Sequence, residues 1–356
     1  MKKNFWQNKK VLITGHTGFK GSWLSIWLKN LGSTICGIGL SPDKNSLFNE
    51  LSLSQKLDFH NILDISKIQN LKNTVKSFNP DIVFHLAAQS LVRESYREPI
   101  KTWETNVLGT INLLESLRKI NKKCAVVIIT TDKVYKNNEW EFGYRENDEL
   151  GGHDPYSASK AALEIAINSW RKSFCGSKVY QNPFIGIASA RAGNVIGGGD
   201  WCDERIIPDT IRALKSGIPV LVRNPYSTRP WQHVLEPLSG YLDLAELIFS
   251  KEDNFVYCDC FNFGPGIESN KTVKDLLEES FKYWDGKWRL DSNNYYHESK
   301  MLHLQIDKAK NVIGWQPKWN FNKTVEKTIN WYKNTHDKTK TPEQACINDI
   351  SEFMSM

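Results

Sequence analysis

No apolar run in the 356 residues approaches the ~18 residues of a membrane span. The N-terminus, MKKNFWQNKKVLITG, carries lysines but no apolar stretch before Val11, so no signal peptide is expected. Long basic runs are also missing. The net charge of +6 is mild, and without a concentrated basic patch it argues against nucleic acid as a partner. A small anion fits that charge as well as anything. Cysteine is sparse and scattered. Of the seven, only Cys258 and Cys260 lie close together, and a lone Cys-x-Cys without a second pair makes no zinc site. No metal centre is expected, and an odd cysteine count in a large chain implies reduced thiols in a cytoplasm. Internal repeats and low-complexity segments are absent. What remains is ordinary globular composition, 40% hydrophobic and 24% charged. The length allows two domains, or one with an elaborated lobe.

The first half alternates short apolar runs with helical patterns. Strands are predicted at Val11-Leu12-Ile13, 34–40, 81–86, 125–129 and 185–190. Helices are predicted at 21–31, 106–120 and 156–174. Such alternation implies right-handed crossovers and a parallel, doubly wound sheet. Beyond about residue 193 the pattern loosens, with loops at Gly197-Gly198-Gly199 and at several prolines. Helical pieces are predicted at 206–216, 237–250, 272–284 and 307–313, and a short strand at Phe261-Asn262-Phe263. The predicted division is a dinucleotide domain at 1–190, rejoined by roughly 232–264. A second lobe takes 191–231 and 265–335, and 336–356 reads as a polar, partly disordered tail.

The first strand runs straight into Gly15-His16-Thr17-Gly18-Phe19-Lys20-Gly21 and then a helix. Glycines there permit a tight turn and let backbone N–H groups approach a pyrophosphate at the helix N-terminus. The spacing is GxxGxxG, weak alone, but strand–turn–helix is its confirming context. The predicted fold is therefore α/β, a Rossmann-type doubly wound parallel sheet with a smaller, mixed α/β C-terminal substrate lobe. After the second strand, Asp43 favours NAD and the adjacent Lys44 favours NADP, so that position does not decide the cofactor.

Tyr156 and Lys160 open the 156–174 helix four residues apart, which puts both on one face. An ammonium near a phenol stabilises the phenolate and lowers its pKa. A tyrosine so tuned takes the proton of an alcohol while hydride leaves for a nicotinamide. Thr130-Thr131-Asp132-Lys133 follows the 125–129 strand, at the carboxyl end of the sheet where ligands bind in such folds. An acid and an amine side by side there suit proton transfer.

These features, with Leu86-Ala87-Ala88-Gln89 and Asn106, resemble the extended short-chain dehydrogenase/reductase family. Within it the stretches TGHTGFKGSWL, FHLAAQSLVRESYREP, TTDKVY, GGHDPYSASKAA, ARAGNVIGGGDW, TRPWQHVLEPLSGYL and FNFGP are similar to the 4,6-dehydratases that act on CDP-glucose. HES and GWQPKW extend the likeness to residue 319. The resemblance implies NAD, a redox-neutral dehydration of a nucleotide sugar in deoxysugar biosynthesis, and a homodimer or homotetramer. It implies Tyr156 as the C4-hydroxyl base, Lys160 as its tuner and nicotinamide-ribose ligand, both of them against the cofactor, and Thr131 as a hydrogen bond to the C4 oxygen. Asp132 would protonate the departing C6 hydroxyl. Lys133 would take the C5 proton as a neutral amine, or stay charged and stabilise the enolate. Around NAD the resemblance implies Gly15, Thr17, Gly18, Phe19, Lys20 and Gly21, then Asp64 and Ile65, then Leu86, Ala87, Ala88 and Gln89, with Asn106 and Thr130. It implies Arg93, Asn194, Arg205, Arg229 and His233 around the nucleotide sugar. Val134 stands where the motif favours cysteine. Other readings are a dehydratase for GDP- or dTDP-linked sugars, a 4-epimerase, and a non-catalytic dinucleotide sensor.

Overall fold

The computed structural model describes residues 3–251, 255–291 and 301–356. Of the resemblance-bearing stretches, HES at 297–299 lies outside them. Seven parallel strands form one sheet: β1 Lys10–Thr14, β2 Thr34–Gly39, β3 Phe59–Ile62, β4 Ile82–His85, β5 Cys124–Ile129, β6 Ile185–Ala192 and β7 Cys260–Phe263. Their spatial order is β7-β6-β5-β4-β1-β2-β3, so the chain reverses direction across the sheet between β1 and β4. The expected α/β doubly wound fold is observed.

The sequence explains the layers. All six residues of β5, Cys-Ala-Val-Val-Ile-Ile, are buried, because helices cover both faces of a parallel sheet. One apolar cluster lies on each side. Val11, Ile13, Phe84 and Val127 point to one, and Leu12, Val83, Val126 and Ile128 to the other, as strand periodicity demands. β3, Phe-His-Asn-Ile, has only half-buried and exposed residues. It closes the sheet edge, so it needs no apolar run and offers none to a sequence reading.

Leu235–Ser250 packs on β5 and β6, and β7 pairs with β6. Segments before and after these returns pair outside the sheet: Val220–Val222 with Trp288–Leu290, and Thr228–Pro230 with Asn270–Thr272. The helix Ile206–Ser216 ends at Gly217 in a left-handed conformation.

The expectation of a polar, partly disordered tail is corrected. Phe321–His336 and Pro342–Ser355 are helices. Thr341 and Gln344 form a capping box, and Pro342 takes the first helical position. Ala345, Cys346, Ile350 and Phe353 recur at helical spacing and are all buried. Phe353 packs edge-on against Trp27 and Trp319. Polar residues on the outer face disguise that stripe. Among the described residues no helix is long and apolar enough to cross a membrane, and no cluster of three or more His, Cys, Asp or Glu is placed to hold a metal.

Candidate active site

One cleft of about 1670 Å³ opens at the carboxyl ends of the strands, where the chain reverses, and is lined further by residues from 199–209 and 221–231. Its floor is the glycine turn. Gly15 adopts a φ of +75°, and a Cβ there would lie 2.6 Å from the Ala87 nitrogen. A Cβ on Gly21 would lie 2.2 Å from the Gly15 oxygen. Gly18 differs: its nearest neighbour would be that same oxygen at 3.4 Å, so its outer side faces open space. The helix Phe19–Asn30 begins here with no side-chain cap and no acidic residue in its first turn. Its first N–H groups and its dipole are thus left for an anion. A dinucleotide pyrophosphate fits that cradle.

The opposite wall comes from β5 and the helix Pro155–Phe174. Asp154 caps that helix by accepting the Ser157 N–H at 2.9 Å, and Pro155 takes the first position. Tyr156 and Lys160 are therefore held one turn apart on the buried face. At the end of β5, Thr131 caps the single 3-10 turn Asp132–Val134 by accepting the Lys133 N–H at 3.4 Å. Thr131 also donates to Asp132 Oδ1 at 3.0 Å. Asp132 is 2% exposed, and its other oxygen, Oδ2, is buried without a hydrogen-bond partner. A buried carboxylate oxygen left unmatched is costly unless a ligand meets it.

Burial pushes the Tyr156 phenol up to about 12, against the Thr131 hydrogen bond and the Arg205 charge, which favour the phenolate. Lys160, expected to favour the phenolate too, donates from Nζ to the Ile129 carbonyl at 3.4 Å, and burial lowers Lys160 itself to about 8 against the pull of Glu164. Lys20 is likewise lowered to about 8 by burial, with Arg205 also disfavouring its charge and Asp132 favouring it.

Most predicted residues meet in this cleft. Gly15, Thr17, Gly18, Phe19, Lys20, Gly21, Asp64, Ile65, Leu86, Ala87, Ala88 and Thr130 line it, with Thr131, Asp132, Lys133, Tyr156 and Lys160. Arg93, Asn194, Arg205 and Arg229 line it too. Arg205 is held by Asp200 at 2.9 Å, and Arg93 by Glu204 at 2.9 Å.

Three residues do not reach the wall. His233 is fully buried in the core, edge-on to Trp23 and Trp319, with Nδ1 accepting the Leu235 N–H at 3.3 Å. Burial holds its ring at a pKa of about 3, so it is a neutral packing residue and no ligand of the sugar. Asn106 and Gln89 form a buckle behind the cleft. Asn106 accepts the Gln89 N–H at 2.8 Å and donates to the Gln89 carbonyl at 3.0 Å and to Ser159 at 2.9 Å. The Gln89 amide donates to Thr102 at 2.8 Å. These bonds tie the segment after β4 to the Tyr156 helix. Sequence reasoning missed Arg223, Asn224 and Ser227, which also line the cleft. Arg223 directly follows a Val-Leu-Val run, and a cation at a strand end was the available signal.

A parallel seven-stranded sheet of this order, with a bare glycine turn and a Tyr-x-x-x-Lys helix on one cleft, defines an extended short-chain dehydrogenase/reductase. Comparison narrows the class. A family model described as GDP-mannose 4,6 dehydratase matches residues 12–328, and the chain belongs to that family of nucleotide-sugar dehydratases. It is 47% identical to the CDP-glucose 4,6-dehydratase of Salmonella typhimurium, over 93% of this chain and 92% of that one. It is 27% identical to the CDP-paratose 2-epimerase of Salmonella typhi, over 90% of this chain and 98% of the relative. The structure of dTDP-glucose 4,6-dehydratase from Bacillus anthracis, in complex with NAD, superposes with a TM-score of 0.74 at 21% identity. That match covers 93% of this chain and 98% of the other.

Proposed function

We propose that this chain is an NAD-dependent CDP-glucose 4,6-dehydratase, which forms CDP-4-keto-6-deoxyglucose and water. The observation that carries this reading is the meeting of two proton-handling pairs in one cleft. Tyr156 and Thr131 suffice to handle the hydroxyl proton of an alcohol whose hydride goes to NAD; Asp132 and Lys133 line the same cleft. A 4-epimerase has no use for the second pair. The 47% identity to a CDP-glucose 4,6-dehydratase supports the base and the sugar.

The bare outer side of Gly18 and the uncapped helix N-terminus would hold the pyrophosphate of NAD, which when bound would supply the hydride acceptor for C4 of the glucosyl unit and the hydride donor for C6. Tyr156, as a phenolate favoured by the Thr131 hydrogen bond and the Arg205 charge, takes the C4-hydroxyl proton and becomes a phenol. Lys133 takes the C5 proton, which a 4-keto group has made acidic, and gives a proton back to C5 when hydride enters C6. Asp132 protonates the C6 hydroxyl as it leaves as water; its unmatched Oδ2 is the oxygen free to meet that hydroxyl. Arg93, Arg205, Arg223 and Arg229 supply cations suited to a diphosphate.

A homodimer is supported by Ile100, Trp103 and Leu108, exposed on helices packed against the Tyr156 helix, and by Ile165, exposed on that helix itself. Seven free thiols support a reducing, cytoplasmic setting. The test of function is incubation with NAD and CDP-, dTDP-, GDP- and UDP-linked sugars, with products identified by mass and NMR. Loss of one water from CDP-glucose is expected. Preferred dehydration of another nucleotide sugar would overturn the base assignment, and an unchanged mass would mean epimerisation.

A further inference from the structure

Glu164 lies one turn beyond Lys160 on the same face of the Pro155–Phe174 helix, in line with Tyr156. It is buried, and both its oxygens are engaged. Oε1 accepts from the Thr130 hydroxyl at 2.5 Å. Oε2 accepts from the Ser189 hydroxyl at 2.8 Å and from Arg191 Nη2 at 3.0 Å. Arg191 continues the chain, donating from Nη1 to the Tyr135 hydroxyl at 2.8 Å and the Glu146 carbonyl at 2.9 Å. Tyr135 in turn donates to Asn262 at 2.7 Å. One carboxylate therefore joins the catalytic helix, β5, β6 and, through Asn262, β7.

Two features set it apart from an ordinary buried ion pair. Its Oε1 bond goes to Thr130, the residue directly before Thr131 and Asp132. It is also the carboxylate that favours the charged form of Lys160, whose other charged neighbour is Lys20 on the glycine-loop helix. His85 of β4 also faces Lys160, but burial keeps it neutral, with a pKa of about 3.

We propose that Glu164 is a positioning residue for the reaction: it clamps Thr130 so that the Thr131–Asp132–Lys133 turn faces Tyr156, and it fixes a carboxylate one helical turn from the Lys160 amine. The inference rests on the reading of Tyr156 and Lys160 given above. Glu164→Gln keeps the shape and an acceptor for Thr130, but removes the charge. In single turnovers with CDP-glucose and NAD, the rate of NADH formation should fall ~10-fold or more. Its alkaline limb should move to lower pH by about one unit, because Lys160 loses its proton sooner. Ser189→Ala removes another bond to the same carboxylate and serves as the stability control; its alkaline limb should stay in place. Thr130→Val removes the clamp alone and should slow the turnover with the limb unmoved. An unmoved limb in folded Glu164→Gln would overturn the proposal. Where that variant fails to fold, Thr130→Val decides, and a wild-type rate there would overturn it. A wild-type enzyme that forms no NADH and releases no water from CDP-glucose would instead overturn the underlying function.

Discussion

Replacing Gly18 by valine should abolish dinucleotide binding and leave the fold standing. A Cβ at Gly18 meets nothing nearer than 3.4 Å, and its φ of −81° is open to any L-residue. The expense to the fold is the poorer helix cap, ~1 kcal/mol. The loss of binding is larger. Valine would stand where phosphate must reach the first N–H groups of the Phe19–Asn30 helix. Two charge-assisted hydrogen bonds lost, each worth ~1.5 kcal/mol or more, weaken NAD at least ~100-fold. Gly21→Ala should behave oppositely, because its Cβ would lie 2.2 Å from the Gly15 oxygen and strain the turn itself. Calorimetry for NAD, beside denaturant unfolding, separates the two. Affinity within ~3-fold of wild type in folded Gly18→Val would refute the reasoning, and so would a Gly21→Ala protein with wild-type stability.

Tyr156→Phe should lower turnover ~10²–10⁴-fold with nucleotide-sugar affinity kept, measured by steady-state kinetics and equilibrium binding; near-normal turnover would remove Tyr156 from the role of base. Asp132→Asn and Lys133→Met should still form NADH from CDP-glucose, read by absorbance, while product release stops. Exchange of C5–H with deuterated water should slow more in the Lys133 variant than in the Asp132 variant. Equal loss of NADH formation and turnover in both would show that the pair is not dedicated to elimination. His233→Gln should leave KM and kcat unchanged, since His233 touches the core and not the cleft. Its folded pKa of about 3 lies below the unfolded 6.5. The unfolded chain therefore binds the extra proton between those values, and wild type loses stability as pH falls. The variant lacks that loss, so its stability relative to wild type should improve by up to ~1.4 kcal/mol per pH unit below 6.5, checked by urea unfolding at pH 7 and pH 5.

What the sequence disclosed depended on how each residue is used. Apolar strands buried on both faces, such as β1, β4 and β5, declare themselves by composition. β3 does not, because an edge strand can be polar. Tyr156, Lys160 and the Thr131–Lys133 turn were readable because helical spacing and a strand end fix where they point. His233, Gln89 and Asn106 were misplaced for one shared reason. A motif identifies the neighbourhood of a site, but it does not separate the residues on its wall from those packed behind. Glu164 escaped notice although Tyr-x-x-x-Lys-x-x-x-Glu is the same periodicity carried one turn further. The Tyr156 pKa could not be read from spacing, since burial outweighs the charges nearby. The C-terminal helix hid its stripe at 345, 346, 350 and 353 among polar residues, yet Thr341-Pro342-x-Gln344 announced its start.

The central claim is that one cleft oxidises C4, eliminates water across C5–C6 and reduces C6. The most direct test is to supply CDP-glucose carrying deuterium at C4, with NAD, and to locate the label in the product by NMR. The account predicts a 4-keto-6-deoxy product that has lost one water and carries the deuterium at C6. Deuterium retained at C4 of a product of unchanged mass, or lost to solvent, would contradict it.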